Sequence, residues 1–501
     1  MGMNAPALAH DPASAQALVV RALQSGAAIG ATRVLARIDT HMSHVFLDND
    51  HAYKLKRDVR YPFVDFSTLA LRRAACEAEL EVNRPFAPNL YEAVLPVVRA
   101  PDGEIKLGEP LSPGDQPLGE ILDWVVKMRR FADGALLDEL ARDGRLTVDQ
   151  VREAVTRVAR THQARAPSRD HGRADDYAAI LAGLRRTQAQ GSERCGQSIA
   201  SDTFFAHLDS ALRAQTPLIE ARRTEGWVRH GHGDLHLRNL CLFEGEVTAF
   251  DALEFDPGLA IGDVLYDVGF LFMDLKARGL HAFANEAMNT YWDASGQDEA
   301  SLAVLPLFMA MRAAVRMAVA MEAGDVTQAD HYRRVGQELL QSDAAQVVAI
   351  GGPAGGGKQA LAAIVASSLP GPCGARRLPA TSRGPEPLDE ADRAERYMSL
   401  GRATRTSVQA GVSVVVTALF VEAPARACVE AVAPSRFLGL WLDTPLSARA
   451  TATSQGAGDR ASSRTALAVR EPANLGPEWR RLDASLPLET LTAEIRSTAL
   501  A

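Results

Sequence analysis

The chain has 501 residues with a formal net charge of −8, and apolar and charged types make up 47% and 23% of it. These values are typical of soluble globular proteins and exclude a disordered, collagen-like or disulfide-scaffold chain. The mild acidity, together with an aromatic content of 6%, disfavours a nucleic-acid-binding protein.

The first part of the chain is predicted to be rich in β-structure. After an N-terminal lead over residues 1–30, the segment VFLDNDHAYKLK predicts a hairpin with strands at 45–47 and 52–55. Residues 67–83 predict a helix with Ser67 as its N-cap, because apolar side chains recur there at helical spacing. The segments LYEAVLPVVRA and WVVKM predict two further strands.

The middle of the chain, up to about residue 340, is predicted to be mostly helical. One exception is a hairpin over 239–255, where a Glu-Gly pair separates two apolar segments. A long helix over 301–323 carries Arg312 and Arg316 one turn apart. Because buried arginines need carboxylate partners, we expect both to form structural ion pairs.

A new unit is predicted to begin near residue 343. The strand QVVAI is followed by the glycine loop GGPAGGGK and the helix QALAAIVASSL, and SVVVTALF and FLGLWLD predict further buried strands. Buried strands that alternate with helices are typical of a parallel α/β sheet. The sequence therefore predicts two domains, at residues 31–342 and 343–501.

The segment HGDLHLRN and the hairpin after it have a pattern suited to phosphoryl transfer. Asn239 follows Asp234 by five residues, and Asp251 follows on the next strand. In such a site one carboxylate orients the substrate hydroxyl, while the amide and a second carboxylate hold magnesium on the phosphates. Magnesium prefers oxygen ligands, which the amide, the carboxylate, phosphates and water supply.

A phosphotransferase of this kind also needs a strand lysine and a glutamate on the following helix. Lys54 in HAYKLK is the predicted lysine. Glu79 is its predicted partner because it lies beside the apolar face of the helix, whereas Glu77 points further away. Lys56 remains an alternative to Lys54, since side chains two residues apart share a face of a regular strand.

In these motifs the chain resembles the aminoglycoside phosphotransferase branch of the protein-kinase-like fold, and in particular a subgroup in which such a kinase precedes a P-loop domain. The segments that carry the resemblance span nearly the whole chain and include THMSHVFL, YKLK, EAELEVNRPFAPNLY, VVKMRRF, HGDLHLRN, FDALEFD and GDVLYDVGFL. The resemblance implies a mixed α+β and α/β protein, in which a bilobed protein-kinase-like fold is followed by a P-loop NTPase domain with a parallel sheet.

The resemblance also implies roles for individual residues. Asp234 would be the catalytic base, Asn239 and Asp251 would bind Mg²⁺, and Lys54 paired with Glu79 would hold the phosphates of ATP. The expected supporting parts are Asp267 as a brace of the catalytic loop, Thr40–Ser43 as the phosphate-covering loop and WVVKM (124–128) as the adenine-contacting hinge.

Two other interpretations of this region stay open. His230, His232, Asp234 and His236 form H-x-H-x-D-x-H, which superficially suggests a two-metal hydrolase, although Leu235 stands where that motif has its last histidine. Alternatively, the first domain is a nucleotide-sensing pseudokinase scaffold without turnover.

The phosphoryl acceptor is predicted only as a small molecule with a hydroxyl group. Glu254, Asp256 and Asp263 either line an acidic cleft, which would favour a cationic acceptor, or pair with basic side chains such as Arg312 and Arg316. The fold class serves several kinds of acceptor, so the resemblance does not choose among them.

The glycine loop predicts a second phosphate site. Gly352 to Gly357, followed by Lys358, fits G-x-x-x-x-G-K between a strand and a helix, and it resembles the loop of P-loop kinases of the gluconate type. Departures from that pattern predict a degenerate domain: Gln359 replaces the Ser or Thr that binds magnesium, GARRLPATSR lacks an expected Arg-Ser-Asp, Thr417 replaces an acid, and the lid candidates Arg449, Arg460 and Arg464 lie in a loose Ser/Gly-rich stretch. A nucleotide-binding domain with a regulatory role and an active second kinase remain the alternatives.

Cysteine usage predicts a reducing, cytoplasmic environment. Five cysteines are scattered along the chain without a CxxC pair. The N-terminal sequence MGMNAPALAHDPAS lacks the features of a signal peptide, and no apolar run of about 20 residues indicates a membrane span. We therefore expect ATP- and Mg²⁺-dependent phosphorylation of a small molecule, with no nucleic acid or membrane partner.

Overall fold

A computed structural model gives the fold of most of the chain. The described residues are 15–30, 34–61, 64–112, 114–115, 118–254, 257–341, 343–353, 355–380, 390–443, 472, 474–486, 490–491 and 495. Asp256, Arg449, Arg460 and Arg464, which the sequence analysis considered, lie outside these residues, as does the beginning of the N-terminal lead.

The chain begins with a region rich in strands, continues with mostly helices, and ends with strands that alternate with helices. The strands are β1 (Ala36–Asp39), β2 (Ser43–Leu47), β3 (His51–Lys56), β4 (Arg60–Tyr61), β5 (Val64–Asp65), β6 (Tyr91–Arg99), β7 (Ile105–Leu107), β8 (Glu120–Arg129), β9 (Val228–His230), β10 (Leu240–Phe243), β11 (Glu246–Ala249), β12 (Ile261–Asp263), β13 (Val347–Gly351), β14 (Arg376–Pro379), β15 (Val414–Thr417), β16 (Phe437–Asp443) and β17 (Trp479–Asp483). The helices are α1 (Ala15–Gln24), α2 (Leu69–Asn83), α3 (Leu137–Arg142), α4 (Val148–Ala164), α5 (Ala174–Cys195), α6 (Asp202–Glu225), α7 (Pro257–Ala260), α8 (Val264–Ala277), α9 (His281–Ser295), α10 (Leu305–Glu322), α11 (Val326–Leu339), α12 (Lys358–Ser368), α13 (Glu390–Gln409) and α14 (Ala423–Glu430).

The chain divides into two compact units. The first comprises residues 1–172 and 226–268, and the second comprises residues 173–225 and 269–501. The HGDLHLRN segment lies in the first unit, and the glycine loop lies in the second. The predicted boundary near residue 343 lies inside the second unit, because helices such as α9 and α10 share that unit with the parallel sheet.

A six-stranded antiparallel sheet forms the N-terminal part of the first unit, with the strand order β1-β2-β3-β8-β6-β7. The predicted hairpin is confirmed as β2 and β3, in which Ser43 lies opposite Lys56 and Val45 lies opposite Lys54. Residues 54 and 56 therefore face the same side of the sheet, as the alternation of a regular strand requires.

Helix α2 packs on this sheet and begins slightly later than the sequence predicts. Its N-cap is Thr68, whose hydroxyl accepts a hydrogen bond from the Leu71 N–H at 3.3 Å. The predicted N-cap, Ser67, instead donates its hydroxyl to the Asp65 carboxylate at 2.5 Å, so the prediction of Ser67 is wrong. The helix buries Glu79 completely against the sheet.

The predicted hairpin over 239–255 is confirmed as β10 and β11. Its turn residues Glu244 and Gly245 have φ values of 53° and 83°, as a two-residue turn with left-handed backbone requires. The second strand ends at Ala249. The sequence analysis expected Asp251 on this strand. In the structure Asp251 follows the end of the strand by two residues.

The second unit contains a five-stranded parallel sheet with the strand order β14-β15-β13-β16-β17. This confirms the predicted parallel α/β fold. The central strand, β13, is buried along its whole length and is followed by the glycine loop. Its neighbours β15 and β16 both come later in the chain, so the loop emerges where the strand order reverses, the usual position of a ligand crevice in such sheets.

One stretch among the described residues, Glu299–Glu322, is long and apolar enough to cross a membrane, with a mean hydropathy of 1.7 over 18 residues. Since 72% of that window is buried inside the protein, we interpret it as a core helix. The Arg312 guanidinium lies 4.9 Å from the ring centroid of Phe270, and that of Arg316 lies 5.5 Å from the Tyr332 ring. Both arginines thus contact aromatic faces, while the expected carboxylate pairs stay a prediction.

Helix α9 is bonded to β14, the edge strand of the parallel sheet. The Asn285 Nδ2 atom donates to the carbonyl oxygens of Cys373 at 2.8 Å and Ala375 at 2.9 Å. Asn289 donates to the Ala375 carbonyl at 3.2 Å and accepts the Arg377 N–H at 2.7 Å. Side chains of α9 therefore pair backbone groups that an open sheet edge would leave to solvent.

Candidate active site

The predicted brace of the catalytic loop, Asp267, is bonded to that loop. Its carboxylate accepts the backbone N–H groups of His232 at 2.9 Å and Gly233 at 2.7 Å. The His162 Nε2 atom lies 2.9 Å from the same carboxylate. A Cβ at Gly231 would come within 2.7 Å of the Asp267 Cγ atom, so this approach requires a glycine there.

Asp234 and Asn239 are joined by hydrogen bonds. The Asn239 Nδ2 atom donates to the backbone oxygen and to the Oδ2 atom of Asp234, both at 2.9 Å. A short 3₁₀ turn, Leu237–Asn239, folds the amide back toward the aspartate. Because both bonds use the nitrogen, the Oδ1 atom of Asn239 is the one suited to a cation. The Asp234 side chain is 39% exposed, which leaves it accessible to a substrate.

Asp251 lies beside Asn239 because the hairpin returns the chain to this point. The Phe250 N–H donates to the Asn239 carbonyl at 3.0 Å, next to the pairing of Leu240 with Ala249. Asp251 has a φ of 61°, a conformation that costs energy outside glycine and clusters at functional sites. One amide and one carboxylate oxygen are ligands that Mg²⁺ prefers, so these two residues fit that ion.

Lys54 connects Glu79 with Asp251. Its Nζ atom lies 2.8 Å from Glu79 Oε1 and 2.5 Å from Asp251 Oδ1, and the Asp251 side chain is 45% exposed. Burial lowers the pKa of Lys54, but the charges of Asp251 and Glu79 outweigh it and hold that pKa well above its usual value. Burial raises the pKa of Glu79, and the neighbouring lysines reverse this and lower it to about 2.

Lys56, the alternative lysine, contacts the same glutamate. Its Nζ atom lies 2.6 Å from Glu79 Oε2 and forms a second ion pair with Glu254. Lys56 is only 1% exposed, whereas Lys54 is 13% exposed and reaches the half-exposed Asp251. Of the two lysines, Lys54 is thus the more exposed, and its role toward phosphate stays a prediction.

Two further side chains, which sequence reasoning missed, hold the backbone next to Asp251. The Asp251 N–H donates to the Tyr91 hydroxyl at 3.1 Å, and the Ala252 N–H donates to the Asn83 Oδ1 atom at 2.9 Å. Asn83 also donates to the Glu79 carbonyl at 2.9 Å. Tyr91 and Asn83 both lie in EAELEVNRPFAPNLY, to which the sequence analysis assigned no role in these contacts. Residues 251–254 begin with the predicted Mg²⁺ ligand Asp251, and we call them the metal-ligand segment.

The predicted phosphate-covering loop is the turn between β1 and β2. The Ser43 N–H donates to the Thr40 hydroxyl at 2.9 Å, and the Thr40 N–H donates to the Ser43 carbonyl at 2.9 Å. Arg57 closes the turn from outside by donating to the Thr40 carbonyl at 2.8 Å. The turn thus lies at the Lys56 end of β3, and the role of Ser43 toward phosphate stays a prediction.

The segment WVVKM (124–128) lies inside β8 and is not a hinge. In this strand Val126 stands between Lys54 of β3 and Val94 of β6. The backbone groups of such a central strand are used by its two neighbours and are not free to bind adenine. The prediction of a hinge at these residues is wrong, because the strand continues to Arg129.

The histidines around Asp234 do not form a zinc site. Among the described residues, no group of three or more His, Cys, Asp or Glu side chains is placed to share a metal ion. The His232 Nε2 atom lies 3.0 Å from the Phe250 carbonyl, and burial lowers the pKa of this histidine. His232 therefore serves as a neutral donor in the core, which disfavours the two-metal hydrolase.

In the glycine loop of the second unit, Lys358 contacts described residues of its own loop. Gly352 and Gly357 adopt φ values of 137° and 76°, and Lys358 begins helix α12 as the P-loop pattern requires. The Lys358 Nζ atom donates to the carbonyl oxygens of Gly352 at 2.9 Å and Pro353 at 2.7 Å. Burial lowers the pKa of Lys358 to about 8.

The two substituted positions of this loop contact each other. The Gln359 Nε2 atom donates to the Thr417 hydroxyl at 3.0 Å. In the expected pattern a Ser or Thr hydroxyl at position 359 would bind magnesium. Here the amide and the hydroxyl are hydrogen-bonded to each other. Neither residue carries a carboxylate.

Comparison with known proteins gives relatives without a described function. No family model matches the sequence. Uncharacterized proteins of Mycobacterium tuberculosis and Mycobacterium bovis are 28% identical over 338 residues, or 66% of this chain. The chain matches 64% of the length of these curated relatives.

Solved structures similar to the chain are small-molecule kinases of two kinds. An aminoglycoside phosphotransferase is 15% identical with a TM-score of 0.39, and the match covers 65% of this chain and 98% of that one. A sugar kinase from Janibacter sp. is 24% identical with a TM-score of 0.27, and the match covers 30% of this chain and 93% of that one. An aminoglycoside phosphotransferase and a gluconokinase from Sinorhizobium meliloti, the two kinds of kinase that the sequence analysis named, are thus among the similar structures.

Proposed function

We propose that the first unit is an ATP- and Mg²⁺-dependent phosphotransferase that acts on a hydroxyl group of a small molecule. The observation that carries this proposal is the ion-pair chain from Glu79 through Lys54 to Asp251. Next to it, Asn239 is bonded to the accessible Asp234. A purely structural cluster does not require a half-exposed aspartate in a left-handed conformation, because that conformation costs energy.

In the proposed reaction, the Asp234 carboxylate accepts the proton of the acceptor hydroxyl while the hydroxyl oxygen attacks the γ-phosphorus of ATP. The bond from that phosphorus to the β,γ-bridging oxygen breaks, and ADP leaves. Lys54 would exchange Asp251 for phosphate oxygens while Glu79 keeps it oriented. Mg²⁺, held by Asn239 and Asp251, would neutralise charge on the phosphates.

The proposed partners are ATP and a small hydroxyl compound, without nucleic acid or membrane. Glu254 pairs with Lys56, and Asp263 accepts the Leu265 N–H at 2.8 Å at the start of α8. Both carboxylates thus have structural contacts, which weakens the case for a cationic acceptor. We propose a cytoplasmic location, because the cysteines are free thiols that suit a reducing compartment.

We also propose that the P-loop of the second unit is degenerate and does not transfer phosphate. The contact between Gln359 and Thr417 occupies the positions from which magnesium would be held. Lys358 satisfies loop carbonyls instead of extending from the loop. The expected activity of the chain therefore rests on the first unit.

A labelled-phosphate transfer assay with the full chain tests the first proposal, with polyols, amino sugars and aminoglycosides as acceptors. We expect Asp234→Asn to lower kcat by about 10²–10⁴-fold, the usual contribution of a general base. ATP affinity should stay close to that of the wild type, because Asp234 faces the acceptor. Asp251→Asn should instead weaken Mg²⁺-dependent ATP binding, which calorimetry measures.

The matched control is Asp133→Asn, which changes an exposed aspartate paired with Arg130 and should leave every parameter unchanged. If Asp234→Asn turned over normally, Asp234 would lose its assigned role. A wild-type chain that binds MgATP but phosphorylates no acceptor would favour the nucleotide-sensing scaffold.

A further inference from the structure

Lys56 is buried more deeply than Lys54, the lysine proposed to bind phosphate. Phosphate binding does not explain why a second lysine is buried beside it. Lys56 is 1% exposed and contacts two carboxylates, Glu79 at 2.6 Å and the 7% exposed Glu254. Its Nζ atom also lies 5.5 Å from the ring centroid of Phe66. A buried ammonium is retained only when it is well paired, and a phosphotransferase site needs a single strand lysine.

Glu79 gives one oxygen to each lysine. Its Oε1 atom contacts Lys54, and its Oε2 atom contacts Lys56. When Lys54 turns toward a nucleotide, Lys56 continues to neutralise Glu79. The glutamate then stays ionised and in place, so Lys54 retains its anchor throughout the reaction.

Lys56 also reaches the metal-ligand segment. The contacts that hold this segment include the bond of the Asp251 N–H to Tyr91, the bond of the following N–H to Asn83, and the ion pair of the Glu254 carboxylate with Lys56. The first two contacts hold the backbone, and the third holds the end of the segment. A strained residue such as Asp251 keeps its conformation only when its surroundings fix it.

We propose that Lys56 is a positioning residue of the metal site: through Glu254 it fixes the end of the metal-ligand segment, and through Glu79 it fixes the anchor of Lys54. This inference rests on the proposed function, since it concerns the same site. Lys56 touches neither nucleotide nor metal; it holds the Asp251 carboxylate where a cation is to be bound.

The decisive variant is Lys56→Met/Glu254→Met in the full chain. It removes one charge of each sign and replaces a buried ion pair by apolar side chains of similar size, which is often neutral for stability. We expect the Mg²⁺ concentration for half-maximal phosphate transfer to rise about tenfold, as when outer partners of a metal site are lost. The affinity for ATP without Mg²⁺ should change less, because Lys54 keeps its ion pair with Glu79, and the Tm should stay close to the wild-type value.

A second variant covers the case in which the double variant does not fold. Glu254→Gln keeps the size of the side chain and leaves Lys56 paired with Glu79, and it should raise the Mg²⁺ requirement in the same direction. The matched control is Lys127→Met/Glu92→Met, which removes a less buried ion pair of 2.9 Å in the same sheet. This control should leave the Mg²⁺ requirement unchanged.

The outcomes separate this inference from the proposed function. A folded variant with a wild-type Mg²⁺ requirement would overturn the positioning role of Lys56, and so would a shift of equal size in the control. If the wild-type chain itself neither binds MgATP nor transfers phosphate, the proposed function fails instead.

Discussion

At the scale of single residues, the acid stability of the first unit should depend on Glu79. Its pKa in the folded protein is lowered to about 2 from an ordinary value of 4.5. The unfolded chain therefore takes up this proton first as the pH falls. The stabilisation is complete above pH 4.5 and is lost progressively toward pH 2.

We expect Glu79→Gln to lower the free energy of unfolding by about 3 kcal/mol at pH 7, because it leaves two buried lysines without their shared partner. The difference from the wild type should shrink as the pH falls from 4.5 toward 2, where the wild type loses the same charge. Urea unfolding of the full chain across this range measures it. Glu77→Gln, at an exposed pair with Arg73, should cost at most about 0.5 kcal/mol; a Glu79 difference that is constant with pH would contradict the assignment.

The sequence indicated those site residues that lie a few positions apart in the chain or belong to a known motif. Asp234 and Asn239 share one short turn, so their bond follows from their separation in the chain. Tyr91 and Asn83 contact a segment that is about 160 residues or more away in the chain. Such contacts depend on which elements pack together, and one sequence contains no local signal for them.

At the scale of elements, predictions succeeded where the determining forces are local. The turn at Glu244 and Gly245 needs left-handed backbone, which the Glu-Gly pair indicates. The prediction of a hinge at WVVKM was wrong because the end of this strand depends on its pairing with strands that are distant in the chain. Only the sheet order shows that β8 lies between β3 and β6 and continues beyond Met128.

The glycine loop gives an element-scale prediction about stoichiometry. The full chain should bind one equivalent of MgATP, because Lys358 is bonded to its own loop and Gln359 to Thr417. Lys358→Met should leave the stoichiometry and affinity unchanged, whereas Lys54→Met should weaken binding at least tenfold. Calorimetry at pH 7 and pH 9 checks this.

The two pH values probe Lys358 directly. Its pKa is lowered to about 8 by burial, so it is mostly charged at pH 7 and mostly neutral at pH 9. A P-loop that bound phosphate through this charge would bind MgATP more weakly at pH 9 than at pH 7. Two equivalents at pH 7 that fall to one in Lys358→Met would show that the loop still binds nucleotide.

At the scale of the whole molecule, the parallel sheet and the helices before it form one compact unit. The sequence suggested a boundary near residue 343 because composition and motif change there. Inside the unit, however, Asn289 of α9 accepts the Arg377 N–H of the edge strand β14, and Asn285 donates to the Cys373 carbonyl just before that strand. These bonds join residues on the two sides of residue 343, and the domain boundary there stays a prediction.

Arg376 is a buried charged residue in this packing. Its Nε atom lies 3.1 Å from both carboxylate oxygens of Glu299, and another guanidinium nitrogen lies 2.7 Å from Asp293. Burial raises the pKa of Glu299 even with the arginine present. Removal of Arg376 would therefore leave the buried Glu299 carboxylate without this ion pair.

We expect Arg376→Met to lower the free energy of unfolding of the second unit by about 3 kcal/mol, the usual cost of breaking a buried ion pair from one side. Because α9 and the sheet share this link, hydrogen exchange should rise in α9 and β14 together, while β3 and α2 of the first unit keep wild-type protection. The control Arg481→Met removes a partly exposed pair with Asp443 and should cost at most about 1 kcal/mol. If exchange rose in β14 but not in α9, the sheet would open without the helix, and the two would not be one cooperative unit.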